Sequence, residues 1–159
     1  MIAFTALPFF ALYALLNLLL CRQDLKHGLL PDRFTCPLLW CGLLFNLLFR
    51  PHLLADAVVG AITGYAGLSL LFWLYRWLRR REGLGYGDVK FLAALGGWYG
   101  WELLPLLVGI ASGLALLFIS AQLIVDRTLE ALKNPLPFGP FLAAAGFVTG
   151  WQSWFTLLP

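Results

Sequence analysis

Apolar stretches long enough to cross a bilayer follow one another almost without interruption along this chain, and that pattern restricts the fold before any single residue is considered. Of 159 residues, 61% are hydrophobic and only 12% charged, whereas a soluble domain carries about 25% charged residues. In hydrocarbon every backbone polar group must be satisfied internally, so spanning segments are helices or closed barrels. The apolar runs here have helical length, since a transmembrane helix needs about 20 mostly apolar residues. Charge clusters, prolines and glycines divide the chain into six such runs, at residues 2–22, 34–49, 53–78, 88–100, 103–125 and 138–157. An all-α, polytopic helix bundle is expected, as one integral-membrane domain over residues 1–159.

Six spans leave both termini on one side of the membrane. Arg22, Lys26, Arg33, Arg76, Arg79, Arg80, Arg81, Lys90, Arg127 and Lys133 all fall at the opposite side, and Arg50 alone falls with the termini. Basic loops stay in the cytoplasm, so both termini are expected on the non-cytoplasmic side of the membrane. The first run lacks a basic leader region and a small-residue cleavage site, and reads as a retained helix rather than a removable signal peptide. The net charge of +3 is modest and its meaning lies in its placement; lipid is an expected partner and nucleic acid is not.

Trp98, Tyr99 and Trp101 are expected at the outer headgroup region. Gly60 with Gly64, and Gly109 with Gly113, stand four apart in helices, which permits close backbone approach; both pairs read as packing within the chain rather than as a dimer face. Cys21, Cys36 and Cys41 form no Cys-x-x-Cys pair and are expected as small buried apolar residues. His27 and His52 fall on opposite sides. No metal-ligand set and no cofactor motif is evident.

The chemistry-bearing stretch is Gly83-Leu84-Gly85-Tyr86-Gly87-Asp88-Val89-Lys90, a glycine-rich turn that delivers an aspartate to the mouth of an apolar helix. A carboxylate there costs a few kcal/mol unless something compensates. The glycines are expected to allow backbone conformations closed to other residues and the close passage of a substrate chain. The plain alternative is that Asp88 is an N-cap of its helix. A second membrane-edge carboxylate, Asp24, closes the first span and precedes Leu30-Pro31-Asp32; by itself it also reads as an interfacial charge beside Arg22 and Lys26. Asp32 reads as a cap or turn residue after the break that Pro31 imposes. Lys90 either contacts a substrate backbone or extends to the interface, and the second is the simpler reading.

Together these residues resemble the type IV prepilin peptidases, membrane aspartic proteases that carry a Gly-x-Gly-Asp motif, here Gly85-Tyr86-Gly87-Asp88. The resemblance extends to Asp24 upstream of Leu30-Pro31-Asp32, to Leu38-Leu39-Trp40 and to Pro137-Phe138-Gly139-Pro140. It implies Asp24 and Asp88 as the catalytic pair, with Gly85, Gly87, Lys90, Pro31 and Asp32 as supporting motif, and removal of a short basic leader from prepilins or pseudopilins of pili and type II secretion at the cytoplasmic face. No metal or cofactor is implied for that cleavage. Fuller members begin with a cytoplasmic loop of paired Cys-x-x-Cys motifs that binds zinc, and also N-methylate the new amino terminus. This chain has no such loop, so a short form without methyltransferase activity is expected.

Two carboxylates in one site hold a proton between them, the arrangement acid/base hydrolysis requires. Asp88 begins a helix and Asp24 ends one, so helix polarity favours the shared proton on Asp24, with the nearby Arg22, Lys26 and Lys90 acting in the opposite sense. Two other classes use the same carboxylates: a small transporter or proton pathway, and an inactive subunit of a secretion apparatus. A transporter calls for an acid near mid-membrane or for repeated halves, and neither is visible. The intact pair of aspartates stands against an inactive subunit.

Overall fold

A computed structural model describes residues 2–79, 85–126 and 136–155. Among them are six α-helices, one for each expected span: α1 (Ile2–His27), α2 (Asp32–Phe49), α3 (Leu54–Arg79), α4 (Tyr86–Tyr99), α5 (Leu104–Asp126) and α6 (Gly139–Phe155), with a short 3-10 turn at Pro51–Leu53. No strand occurs among the described residues. The segments Thr5–His27, Pro51–Leu78 and Leu104–Ile124 are long and apolar enough to cross a membrane on their own.

α4 lies at the centre. Its side chains from Phe91 to Trp98 are all buried, and it packs chiefly on α3 and α2. A helix apolar on every face belongs in the middle of a bundle, and Ala93, Ala94, Gly96 and Gly97 keep it thin enough to be surrounded. Its 14 residues extend only about 21 Å at about 1.5 Å per residue, short of a hydrocarbon core of about 30 Å. α3 has the reverse character: Ile62, Leu70, Trp73 and Trp77 point outward and are more than half exposed, the surface offered to lipid.

The α3–α4 approach depends on Gly60 and Gly64. A methyl group on Gly60 would stand 2.5 Å from the Gly96 carbonyl oxygen and 2.6 Å from the Gly100 carbonyl carbon, and one on Gly64 would stand 3.0 Å from the Leu92 carbonyl oxygen. Gly109 and Gly113 differ from the expectation, since nothing lies within 4 Å of a methyl group at either. They do not mediate packing within the described residues.

The aromatic residues also depart from their expected places. Trp98 is only 4% exposed; its indole N–H donates to the Leu38 carbonyl at 2.8 Å and its ring stacks on Phe45 at 5.4 Å. The Tyr99 hydroxyl makes core hydrogen bonds with the Tyr13 hydroxyl at 2.9 Å and the Gly146 carbonyl at 2.8 Å. Only Trp101 is well exposed, and its N–H donates to Asp56 Oδ1 at 3.3 Å. Large rings beside a chain break can turn inward when a neighbouring backbone supplies an acceptor, and here α2 and α6 supply it. Of the cysteines, all free, Cys36 is exposed on the outer face of the bundle, while Cys21 and Cys41 are half-buried.

A buried amide locks the C-terminal end of α4. Asn46 Nδ2 lies 3.0 Å from the Gly97 carbonyl and 3.3 Å from that of Trp98, groups in the last turn of α4 that have no partner within the helix. Asn46→Leu keeps the volume and strands those carbonyls. The expected loss is about 1–2 kcal/mol, read as a lowered thermal unfolding midpoint in detergent; an unchanged midpoint contradicts the role.

Candidate active site

α1 continues past the expected end of its span to His27, so Asp24 sits in its last helical turn rather than beyond it. Gly28 stops the helix: it adopts a left-handed φ of 61°, and its N–H donates to the Asp24 carbonyl at 2.8 Å, the glycine C-cap arrangement. Leu30 and Pro31 then turn the chain into α2. Pro31, with φ of −73° and ψ of 142°, is the N-cap and Asp32 the first helical residue. Asp32 is therefore not a cap. It lies in the first turn, where its charge suits the helix dipole.

At the start of α4, Gly85 is the N-cap, with φ of −69° and ψ of 131°, a conformation open to any residue. Asp88 is thus inside the first turn, and its N–H donates to the Gly85 carbonyl at 3.1 Å. What these glycines supply is space. A methyl group on Gly87 would lie 2.7 Å from Leu30 Cβ, and one on Gly85 would lie 3.2 Å from Asp88 Oδ2. The motif's small residues let α4 press against the Leu30-Pro31 turn and leave the Asp88 carboxyl room. Gly83, and with it Arg80, Arg81, Arg127 and Lys133, lies outside the described residues.

These two helix ends border the same space. Asp24 and Asp88 line one cavity of about 550 Å³ that opens at this end of the bundle, with Phe72, Trp73, Arg76 and Tyr86 on its walls. They are 6% and 5% exposed, and the charge of Asp24 is felt at Asp88. Among the described residues Asp88 Oδ1 is buried without a hydrogen-bond partner. A buried acceptor left unpaired costs about 1–3 kcal/mol, and a fold tolerates that most readily where the group has work to do.

Asp24 is held from a direction its own sequence neighbourhood does not reveal. The backbone N–H of Gly139, the first residue of α6, donates to Asp24 Oδ2 at 2.8 Å. Both carboxyls therefore stand at helix N-termini, Asp88 at that of α4 and Asp24 at that of α6, and helix polarity does not separate their roles as the sequence suggested. Arg76, Phe72 and Trp73 are the other site residues the motif reading missed. Their only sequence signal is the aromatic and basic character of the end of the third span.

Lys90 neither contacts the dyad nor extends free to the interface. Its Nζ lies 2.6 Å and 2.9 Å from the two Asp32 carboxylate oxygens and 5.6 Å from the centre of the Tyr86 ring. The Tyr86 hydroxyl in turn hydrogen-bonds the Tyr65 hydroxyl, so the pair ties the starts of α2 and α4 to each other and to α3. With the side chains 32% and 60% exposed, such a bridge contributes no more than about 1 kcal/mol. Asp32→Asn is expected to retain cleavage within about fivefold of wild type, read as product formed per unit time in membranes; abolished cleavage contradicts this. Among the described residues no three His, Cys, Asp or Glu side chains group as metal ligands.

Comparison with known sequences identifies the family. A sequence model of the type IV leader peptidase family matches residues 10–120. Leader peptidase HopD of Escherichia coli is 61% identical over 92% of this chain and 94% of its own length, and Leader peptidase HopD of Salmonella typhimurium is 57% identical over 96% and 97%. A Prepilin leader peptidase/N-methyltransferase of Aeromonas hydrophila is 50% identical over 79% of this chain but only 42% of its own length. No solved structure matches. The chain belongs to the type IV leader peptidase family, and is a membrane protease.

Proposed function

We propose that Asp24 and Asp88 are the catalytic dyad with which this protease removes the short basic leader of type IV prepilins or type II secretion pseudopilins. The observation that carries this reading is the convergence of two buried carboxyls, remote in sequence, on one open cavity, one of them with an oxygen that has no partner among the described residues. The ionised member of the pair takes a proton from water as the water oxygen bonds to the scissile carbonyl carbon. The protonated member gives its proton to the carbonyl oxygen. Collapse of the tetrahedral intermediate then breaks the carbon–nitrogen bond, the amine receives a proton from one carboxyl, the other recovers one from the intermediate, and the pair is again singly protonated.

The cavity opens at the end that carries Arg22, Lys26, Arg33, Arg76 and Lys90, with Arg50 at the other. By the positive-inside tendency this end faces the cytoplasm of a bacterial inner membrane, where a leader that is never translocated is available. The location of both aspartates at that one end argues against a transmembrane proton pathway, which needs groups at depth. Co-expression with prepilins and pseudopilins tests the reading. A mobility shift, with an intact mass reduced by that of the leader, is expected for at least one of them; retention of the leader on all of them counts against it.

A further inference from the structure

The Pro137-Phe138-Gly139-Pro140 segment carries no group for chemistry, yet it begins α6 against the buried carboxyl of Asp24. The first N–H groups of a helix have no partner within it, and this helix start leaves one of them to a distant acceptor. Pro140 has no N–H. Those of Phe141 and Leu142 both donate to the Phe138 carbonyl at 3.1 Å. The one donor of the first turn that points out of the helix is that of Gly139, and Asp24 Oδ2 accepts it at 2.8 Å in a buried bond. Only hydrogen fits on the α-carbon there: a methyl group on Gly139 would lie 2.7 Å from Asp24 Oδ2, 3.1 Å from its Cγ and 3.3 Å from its Cβ.

We infer that Gly139 is a positioning residue of the active site, whose backbone N–H fixes the orientation of the Asp24 carboxyl across the gap between α1 and α6. This rests on Asp24 being catalytic. With Oδ2 engaged, the carboxyl plane is set and Oδ1 is the oxygen left for a proton, water or substrate. Gly139 itself lies outside the wall of the cavity, so its role is felt in the chemical step rather than in substrate capture. The two prolines and the glycine act together: Pro137 and Pro140 restrict the entry, and the glycine offers a bare donor.

The experiment compares Gly139→Ala with Gly146→Ala in the same purified full-length chain, with a leader-bearing prepilin as substrate. A methyl group at Gly146 is as crowded, 2.6 Å from the Tyr13 hydroxyl, but distant from the carboxyls. Displacing a catalytic group by about 1 Å costs about 100-fold, so Gly139→Ala is expected to lower kcat by about that factor with KM unchanged, while Gly146→Ala lowers thermal stability and leaves kcat in the folded fraction near wild type. Unchanged kcat in Gly139→Ala, or a raised KM with kcat intact, overturns the positioning role while leaving the protease reading in place. Absence of cleavage by the wild-type chain overturns that reading and the inference with it.

Should Gly139→Ala fail to accumulate, a cysteine pair decides the geometry. Asp24→Cys with Gly139→Cys, in a chain whose Cys21, Cys36 and Cys41 are replaced by serine or alanine, brings the two β-carbons close to the separation a disulfide uses. Oxidation is expected to join α1 to α6 in membranes. A pair that stays reduced under conditions that oxidise exposed control cysteines contradicts the contact.

Discussion

Replacing either aspartate by asparagine is expected to abolish leader cleavage, lowering the rate by about 1,000-fold or more, while the chain still inserts and accumulates. Asparagine keeps the size of the side chain but cannot exchange a proton, so each substitution removes half of a proton-sharing pair. The structural consequences differ. Asp24→Asn can still accept the Gly139 hydrogen bond through its carbonyl oxygen, so α6 remains seated. Asp88→Asn puts an amide where a buried oxygen already lacks a partner, and its carbonyl oxygen can still accept from the Gly85 backbone. Neither change empties space in the core, so equal abundance in membranes separates lost chemistry from lost fold. Substantial cleavage by either variant would remove the dyad from the mechanism.

The largest effect on the fold is expected at Gly60. Valine there drives its side chain into the backbone of α4, where the nearest atoms are the Gly96 carbonyl oxygen and the Gly100 carbonyl carbon and α-carbon. These are not the ends of flexible side chains and cannot swing aside. Overpacking costs about 1–3 kcal/mol in ordinary cores and more where backbone must move. Moving α4 also moves Asp88, so Gly60→Val is expected to reduce both accumulation and activity severely. Gly109→Val is the matched control. With nothing within 4 Å, it is expected to fold and cleave near the wild-type level. Equal behaviour of the two variants, judged by abundance and thermal unfolding in detergent, would contradict the close α3–α4 contact.

The contrast between those glycines also shows what the sequence made legible. Six helices follow from hydropathy because a bilayer imposes one length and one polarity on every crossing, and the described helices reproduce the expected runs with shifts at their ends. Asp24 and Asp88 could be singled out because a carboxylate at the edge of an apolar run is costly enough to need a reason. A four-residue glycine spacing says that a helix has a thin face and not what meets it, so Gly60 and Gly109 looked equivalent. Trp98 and Tyr99 sit beside a chain break, where a ring at the interface and a ring folded inward have the same local sequence; the carbonyls of Leu38 and Gly146 that turn them inward come from other helices. Lys90 belongs to Asp32 for the same reason.

The Gly139 contact was the least accessible part of the site. A helix start with two prolines and a glycine announces a free N–H, but its acceptor lies 115 residues away in the chain. The polarity of α1 alone favours a proton on Asp24, and the N-terminus of α6, which opposes it, comes from a distant part of the chain. Local chemistry thus named the carboxyls, while their environment came from tertiary packing.

The pH dependence of kcat for the purified wild-type chain, measured on a leader peptide with no group of its own titrating in the range used, tests the central claim most directly. Two carboxyls that share one proton require a bell-shaped profile: acid protonates the base of the pair, alkali removes the proton from its acid, and both apparent ionisations belong to the pair rather than to one residue. The account predicts that bell, unchanged by chelators. A rate governed by a single ionisation across the whole range, with no fall on the alkaline side, would contradict a proton-sharing dyad of Asp24 and Asp88.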